Sequence, residues 1–280
     1  MAMTINTNIS ALQVTNALSR NQASLQSSMQ KLSTGSRINT AADDPAGLAI
    51  SQGLQAQIGG LNQASQNAAN GTALIQTASG ALTQVSDILQ NLRNLAVQAG
   101  NDTENGNSRA DLQKVSDALT AELTRISTST TFNGISLLDA TAGAGGDGQL
   151  TLQVGSNATD TITLDLSGAK VDATSLGVDA LDLTTATGSE DAITSIDTAI
   201  QSVSTMQADL GAQQTRLQST QQSLAVDAQN LTAANSQISD TDMASEMANF
   251  TKQNVLVQAG TAMLSQANQQ SQLVLKLLQG

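Results

Sequence analysis

The chain has no cysteine, histidine, tryptophan or tyrosine, and only 2 phenylalanines and 1 proline among its 280 residues. Without Cys there are no thiolate nucleophiles, disulfides or cysteine-zinc sites. Without His the commonest general base and metal ligand is missing, and the many Ser and Thr hydroxyls have no imidazole to activate them. The near-absence of aromatics removes the usual anchors of a compact core. Leu, Ile, Val and Ala must fill it, which suits helix packed on helix better than sheet on sheet. Basic charge is scarce too: the net charge is −12, the wrong sign for a nucleic-acid partner. No run reaches the ~18–20 apolar residues of a membrane span, so no membrane insertion is expected. Met1 to Gln13 lacks the basic and apolar regions of a secretory signal peptide. The expectation is a chain that is not an enzyme and takes no cofactor and no metal.

Charge is unevenly spread. Residues 1–42 carry Arg20, Lys31 and Arg37 and no acid, whereas residues 139–191 carry nine acids against the single base Lys170. An acidic middle reads as a solvated face. The near-neutral ends can approach other chains with little repulsion.

Apolar residues recur every seven positions. The first segment has Ala11, Leu18, Leu25 and Leu32, flanked by Ile5, Ile9, Leu12 and Met29. A second run has Leu54, Leu61, Ala68, Ile75, Leu82, Leu89 and Ala96, and a third has Leu112, Leu119 and Ile126. A fourth has Ile196, Val203, Leu210, Leu217, Leu224, Leu231 and Ile238. The last has Met243, Phe250, Val257, Leu264 and Leu278, interrupted at Ser271 and accompanied by Leu275. Such rows predict long helices packed along seams. Gly35 is placed to stop the first helix. Asp44-Pro45 is placed to open the second, as N-cap and first helical residue. Gly100 to Asn107 reads as a loop and Phe132-Asn133-Gly134 as a turn. Between residues 140 and 188 the period falls to two: Leu150, Leu152 and Val154, then Ile162, Leu164 and Leu166, with Gly155 to Thr161 between them, predict a β-hairpin.

The fold expected is mainly α: a long antiparallel helical bundle or coiled coil with a small β-hairpin region at the tip. Residues 1–43 and 237–280 form the two halves of an inner coiled-coil domain. Residues 44–139 and 189–236 form an outer helical domain, and residues 140–188 a short variable β region. The middle rows can bury one another within one chain. The terminal rows have too few partners, which points to packing between chains. Other chemistry is weak. Asp43-Asp44 reads as helix capping. Gly145-Gly146-Asp147 is a single copy of a calcium-repeat-like triplet. The N-x-S/T triplets at Asn8, Asn101, Asn157, Asn230 and Asn249 read as chance in a chain rich in these residues.

The ends resemble the bacterial flagellin family. The matching blocks are Ile5-Asn6-Thr7-Asn8-Ile9-Ser10-Ala11-Leu12; Leu32-Ser33-Thr34-Gly35-Ser36-Arg37-Ile38-Asn39; and Ala42-Asp43-Asp44-Pro45-Ala46-Gly47-Leu48-Ala49-Ile50. Further matches are Leu95-Ala96-Val97-Gln98-Ala99, Thr131-Phe132-Asn133-Gly134 with Leu137-Leu138, Asp240-Thr241-Asp242-Met243-Ala244 and Gln266-Ala267-Asn268-Gln269. The resemblance implies an extracellular subunit that polymerises into the flagellar filament used for motility. It implies export by the flagellar type III apparatus with a secretion chaperone, and cap and hook-junction proteins as partners. It also implies terminal helices that order on assembly. The expected subunit interface is Ile5, Ile9, Leu12, Leu18, Leu25, Met29 and Leu32 with Met243, Phe250, Val257, Leu264, Leu275 and Leu278. A hook–filament junction protein and a surface adhesin stand as alternatives.

Some positions depart from the family pattern. Pro45 replaces the more usual Ala, the variable region is very short, and Gln270-Ser271-Gln272 stands where many members have a Pro. Some flagellins are bound by a Toll-like receptor through the second and third helices. The matching positions here are Asn91, Leu95 and Val115, two of which lack the charge found in recognised members. Weak or no receptor activation is expected.

Overall fold

A computed structural model describes residues 8–143 and 145–279, with side chains described through residue 269. Its helices are α1 (Ile9–Thr34), α2 (Pro45–Ala99), α3 (Gly106–Ser129), α4 (Ala186–Ser239) and α5 (Met243–Gln279). Two hairpins follow α3: β1 (Thr131–Phe132) with β2 (Ile135–Ser136), and β3 (Gln149–Gln153) with β4 (Thr161–Asp165). The chain divides into two compact units, Gln57–Gln229 and Met1–Ala56 with Asn230–Gly280.

The Gln57–Gln229 unit holds nearly all of the core. On α2 the row Leu61, Ala68, Ile75, Leu82, Leu89 and Ala96 is buried throughout. A second seven-residue row, Ala64, Gly71, Ala78, Val85, Leu92 and Ala99, is buried beside it. Two adjacent rows make a stripe wide enough to be covered from more than one side. On α4 the row Ile196, Val203, Leu210, Leu217 and Leu224 is buried, joined near the helix start by Ala192 and Ala199. From α3, Leu123 and Ile126 join them.

The β segments close this unit. Asn133 and Gly134 both have positive φ, 51° and 79°, the backbone of a tight two-residue hairpin turn. In the larger hairpin Leu150 pairs with Leu164 and Leu152 with Ile162, so one face carries the aliphatics. Gly71 marks where this face meets α2: a Cβ there would lie 2.3 Å from Leu152 Cδ1. Residues 167–185 have no regular secondary structure yet bury Val171, Val178 and Leu183 completely. This strap is tied to α3 by Gln113, whose Nε2 donates to the Leu181 carbonyl at 2.8 Å and whose Oε1 accepts from the Leu183 amide at 2.6 Å. Reading residues 140–188 as a β region therefore covers only its first half. The second half is an irregular apolar strap, because its partners are a helix and a side-chain amide rather than another strand.

The hairpin's base depends on one glycine. Gly148 has φ +77°, and a Cβ there would lie 2.5 Å from Ser167 Cα and 2.7 Å from its nitrogen, both backbone atoms. Its carbonyl also accepts from the Leu166 amide at 2.8 Å. Gly148→Ala should therefore destabilise this unit by about 2–4 kcal/mol, from left-handed strain plus a clash with main chain that cannot swing away. Thermal unfolding checks this; an unchanged midpoint would contradict it.

Candidate assembly surface

In the other unit α1 and α5 lie antiparallel. Thr241 N donates to Gly35 O at 2.9 Å at one end, and Asn8 Nδ2 donates to Ala267 O at 3.1 Å at the other. Between them Gly260 gives close approach, since a Cβ there would lie 3.2 Å from Leu18 Cδ1. Leu18, Leu25 and Leu32 face this seam with Phe250, Val257 and Leu264, all half-buried. Ile9, Leu12, Met29 and Met243 are exposed, Ile9 and Leu12 at 59% and 56%. Met247, Val255, Leu256 and Met263 are exposed as well. Ile5, Leu275 and Leu278 lie outside the residues whose side chains are described.

The same seven-residue pattern thus has two fates. In the Gln57–Gln229 unit the rows of α2 and α4 are buried to a few per cent exposure, while Leu112 and Leu119 of α3 are partly buried. In the terminal unit the seam is half-covered, and Ile38 is the only large buried apolar side chain among the described residues there. Two isolated helices cannot enclose each other's stripes, so part of the apolar surface of each stays open to solvent.

A polar buckle anchors the pair. Gly35 ends α1 in the left-handed conformation, with φ 72°. Ser36 forms a bridge with Asp240, and the Arg37 amide donates to Ser239 O at 2.6 Å. The Arg37 guanidinium donates to Ile238 O at 2.6 Å, where α4 presents carbonyls with no helical partner. A cation at that end also meets the negative pole of the helix. On the facing side, Asp44 Oδ1 accepts from the Gly47 amide at 2.9 Å and caps α2, with Pro45 in the first helical position. Gly47 leaves room for Ile38, whose Cδ1 would sit 2.7 Å from a Cβ at that position. Ser51 Oγ donates to Asn235 Oδ1 at 2.7 Å. The paired carboxylates at 43 and 44 therefore both bind backbone. From sequence Arg37 stands only as a basic group within a family-like block and Asn235 not at all, since nothing local marks a partner some 200 residues away.

Asp43 holds the loop through Oδ2, which accepts from the amides of Thr40 at 2.9 Å and Asn39 at 3.2 Å and from Thr40 Oγ1 at 3.0 Å. These bonds, the Thr40 amide first, hold its carboxyl below the usual carboxylate range. Asp240 is lowered likewise by the hydroxyls of Ser236 and Ser239. A depressed folded pKa contributes stability that is present above the unfolded value and is lost as pH falls through the folded one. Amide exchange at Asn39 and Thr40 should therefore accelerate as pH drops below the ordinary carboxylate range, after correction for intrinsic exchange. In Asp43→Asn it should be fast already at neutral pH, with the acid dependence flattened. A variant with wild-type protection would exclude this clamp.

The three positions of the receptor expectation lie in the Gln57–Gln229 unit. Asn91 and Val115 are exposed, and Leu95 is half-buried against the core. Among the described residues no helix is long and apolar enough to cross a membrane, and no group of three acidic side chains is spaced to hold a metal.

Comparison with known proteins gives concordant results. Residues 5–142 match the model of the bacterial flagellin N-terminal helical region, and residues 193–278 that of the C-terminal helical region. The chain is 46% identical to a flagellin of Bacillus subtilis over 99% of its length and 100% of the relative's. It is 40% identical to the flagellar filament 33 kDa core protein of Treponema phagedenis, with the same coverage. Among solved structures it is similar to Bacillus cereus flagellin, with TM-score 0.50 and 33% identity over 61% of this chain and 94% of that one. It shares a fold with a flagellar hook-associated protein of Vibrio parahaemolyticus, with TM-score 0.57, covering 71% of this chain and 100% of that one, but only 13% identity. The junction-protein alternative is not favoured, since the full-length relatives at high identity are filament proteins.

Proposed function

Because the chain belongs to the bacterial flagellin family and is a structural subunit of the extracellular flagellar filament, we propose that α1 and α5 are the surface by which one subunit holds the next. The observation that carries this reading is the contrast in burial. Leu18, Leu25, Leu32, Phe250, Val257 and Leu264 stay half-covered in a single chain, while equivalent rows in α2 and α4 are enclosed. Copies packed against Ile9, Leu12, Met29 and Met243 would complete their burial, at roughly 25 cal/mol per Å² of apolar surface removed from water. The work is structural, with no reaction catalysed and no cofactor used. The buckle fixes where the helix pair begins.

On this reading the ends are the segments that need protection before assembly. A secretion chaperone would cover them, the flagellar type III apparatus would export the chain unfolded, and cap and junction proteins would bound the polymer. Adding purified subunit to short filament seeds and imaging by electron microscopy tests the assembly surface. Elongation is the expected result. Failure to elongate at any concentration, with the chain folded, would refute it.

Activation of a Toll-like receptor should be weak. Asn91 and Val115 offer an amide and a methyl surface where a charged pair would make charge-assisted hydrogen bonds, each worth roughly 1.5–3 kcal/mol. Asn91→Arg with Val115→Glu should raise potency in a reporter-cell assay by at least about tenfold. A wild type already as potent as that double variant would contradict the reading.

A further inference from the structure

No thiol, indole, phenol or imidazole is present to absorb an oxidant, so the oxygen-accepting side chains of this chain are its 7 methionines. Their placement is uneven. Met29, Met243, Met247 and Met263 are 47%, 47%, 50% and 60% exposed. All four lie on α1 or α5. Met206, on α4, is half-buried against the core of the other unit. The register set by Gly35 with Thr241 and Leu18 with Gly260 puts Met29 level with Met247 along the helix pair. Accessible thioethers are thus concentrated on the two helices assigned to assembly.

We propose that these four methionines are oxidation sites at which sulfoxide formation switches the free subunit out of polymerisation. This rests on the reading of α1 and α5 as the assembly surface. With hydrogen peroxide as oxidant, the methionine sulfur attacks one peroxide oxygen. The O–O bond breaks as the S–O bond forms. Sulfur is oxidised by two electrons, and the second peroxide oxygen leaves as water. An apolar, adaptable side chain becomes a polar acceptor. Covered by the apolar side chains of the next copy, that oxygen loses its water without gaining a donor. Neighbouring copies would cover the same sulfurs in the filament, so the subunit is vulnerable before it is added.

The test compares wild type with the variant Met29→Leu/Met243→Leu/Met247→Leu/Met263→Leu, each treated with hydrogen peroxide, quenched and offered to untreated seeds. Peptide mapping by mass spectrometry should find sulfoxide at the four exposed positions ahead of Met206. Oxidised wild type should need at least about a tenfold higher concentration to elongate. The treated variant should keep its untreated value. Met1 and Met3 remain thioethers in the variant, so an equal loss in the treated variant would overturn the assignment. Oxidised wild type that elongates normally would overturn it as well. If the variant itself polymerises poorly, oxidised wild type is repaired with the two stereospecific methionine sulfoxide reductases. Recovery of elongation supports the proposal, and no recovery despite restored thioethers refutes it. Untreated wild type that fails to elongate would instead sink the underlying assembly reading.

Discussion

Leu25→Asp will abolish seeded polymerisation while leaving the Gln57–Gln229 unit folded. Leu25 sits in the α1–α5 seam, half-covered by its own chain. Once neighbouring copies complete the burial, a carboxylate there meets the apolar row of Phe250 and Val257, while Lys252, level with it on α5, is exposed and Arg20 and Lys31 lie about a turn and a half away on α1. Burying an unpaired charge costs several kcal/mol even after relaxation. A loss of about 4 kcal/mol per added subunit raises the critical concentration by roughly three orders of magnitude. Leu25→Met, which keeps volume and polarity close to the original, should polymerise near normally. Sedimentation of polymer from monomer across a concentration series reads the difference. An Asp variant that elongates like wild type would remove α1 from the interface.

Leu89→Ala will do the reverse, with its main effect on the free subunit. Leu89 is fully buried in the core. Removing three carbons leaves transfer and cavity terms that sum to about 2–5 kcal/mol. For a unit of this size a loss of about 3 kcal/mol lowers the melting temperature by roughly 6–12 °C. Leu12→Ala, at a position 56% exposed, should shift monomer melting very little, within about 0.5 kcal/mol. Two Leu→Ala changes of identical chemistry thus separate the roles of the two units. Equal effects on monomer stability would mean that the terminal helices are enclosed in the free chain.

Much of this was legible in the sequence because the signals are local or periodic. Gly35, Asp44-Pro45 and Asn133-Gly134 each stand where a backbone requirement falls. The seven-residue rows located every long helix, and the alternation at Leu150–Val154 and Ile162–Leu166 located the larger hairpin. Periodicity alone says that a stripe is apolar, not how many partners cover it. The distinction between Leu82, which is enclosed, and Leu25, which is half-open, therefore became visible only with the neighbours in place. The strap at residues 167–185 was missed as a core element. Ala169, Val171 and Ala173 alternate, but the rest follows no single period, and the pairing through Gln113 spans 68 residues. Arg37 was read as charge balance, whereas it binds the end of a helix 201 residues away.

The account turns on the free subunit having one self-sufficient unit and one dependent on neighbours. Hydrogen–deuterium exchange measured by mass spectrometry, on monomer and filament side by side, addresses that directly. In the monomer, residues 61–99 and 192–224 should be strongly protected while residues 9–34 and 243–269 exchange quickly. In the filament all four segments should be protected. Terminal helices as protected in the monomer as α2 and α4, and unchanged on polymerisation, would contradict it.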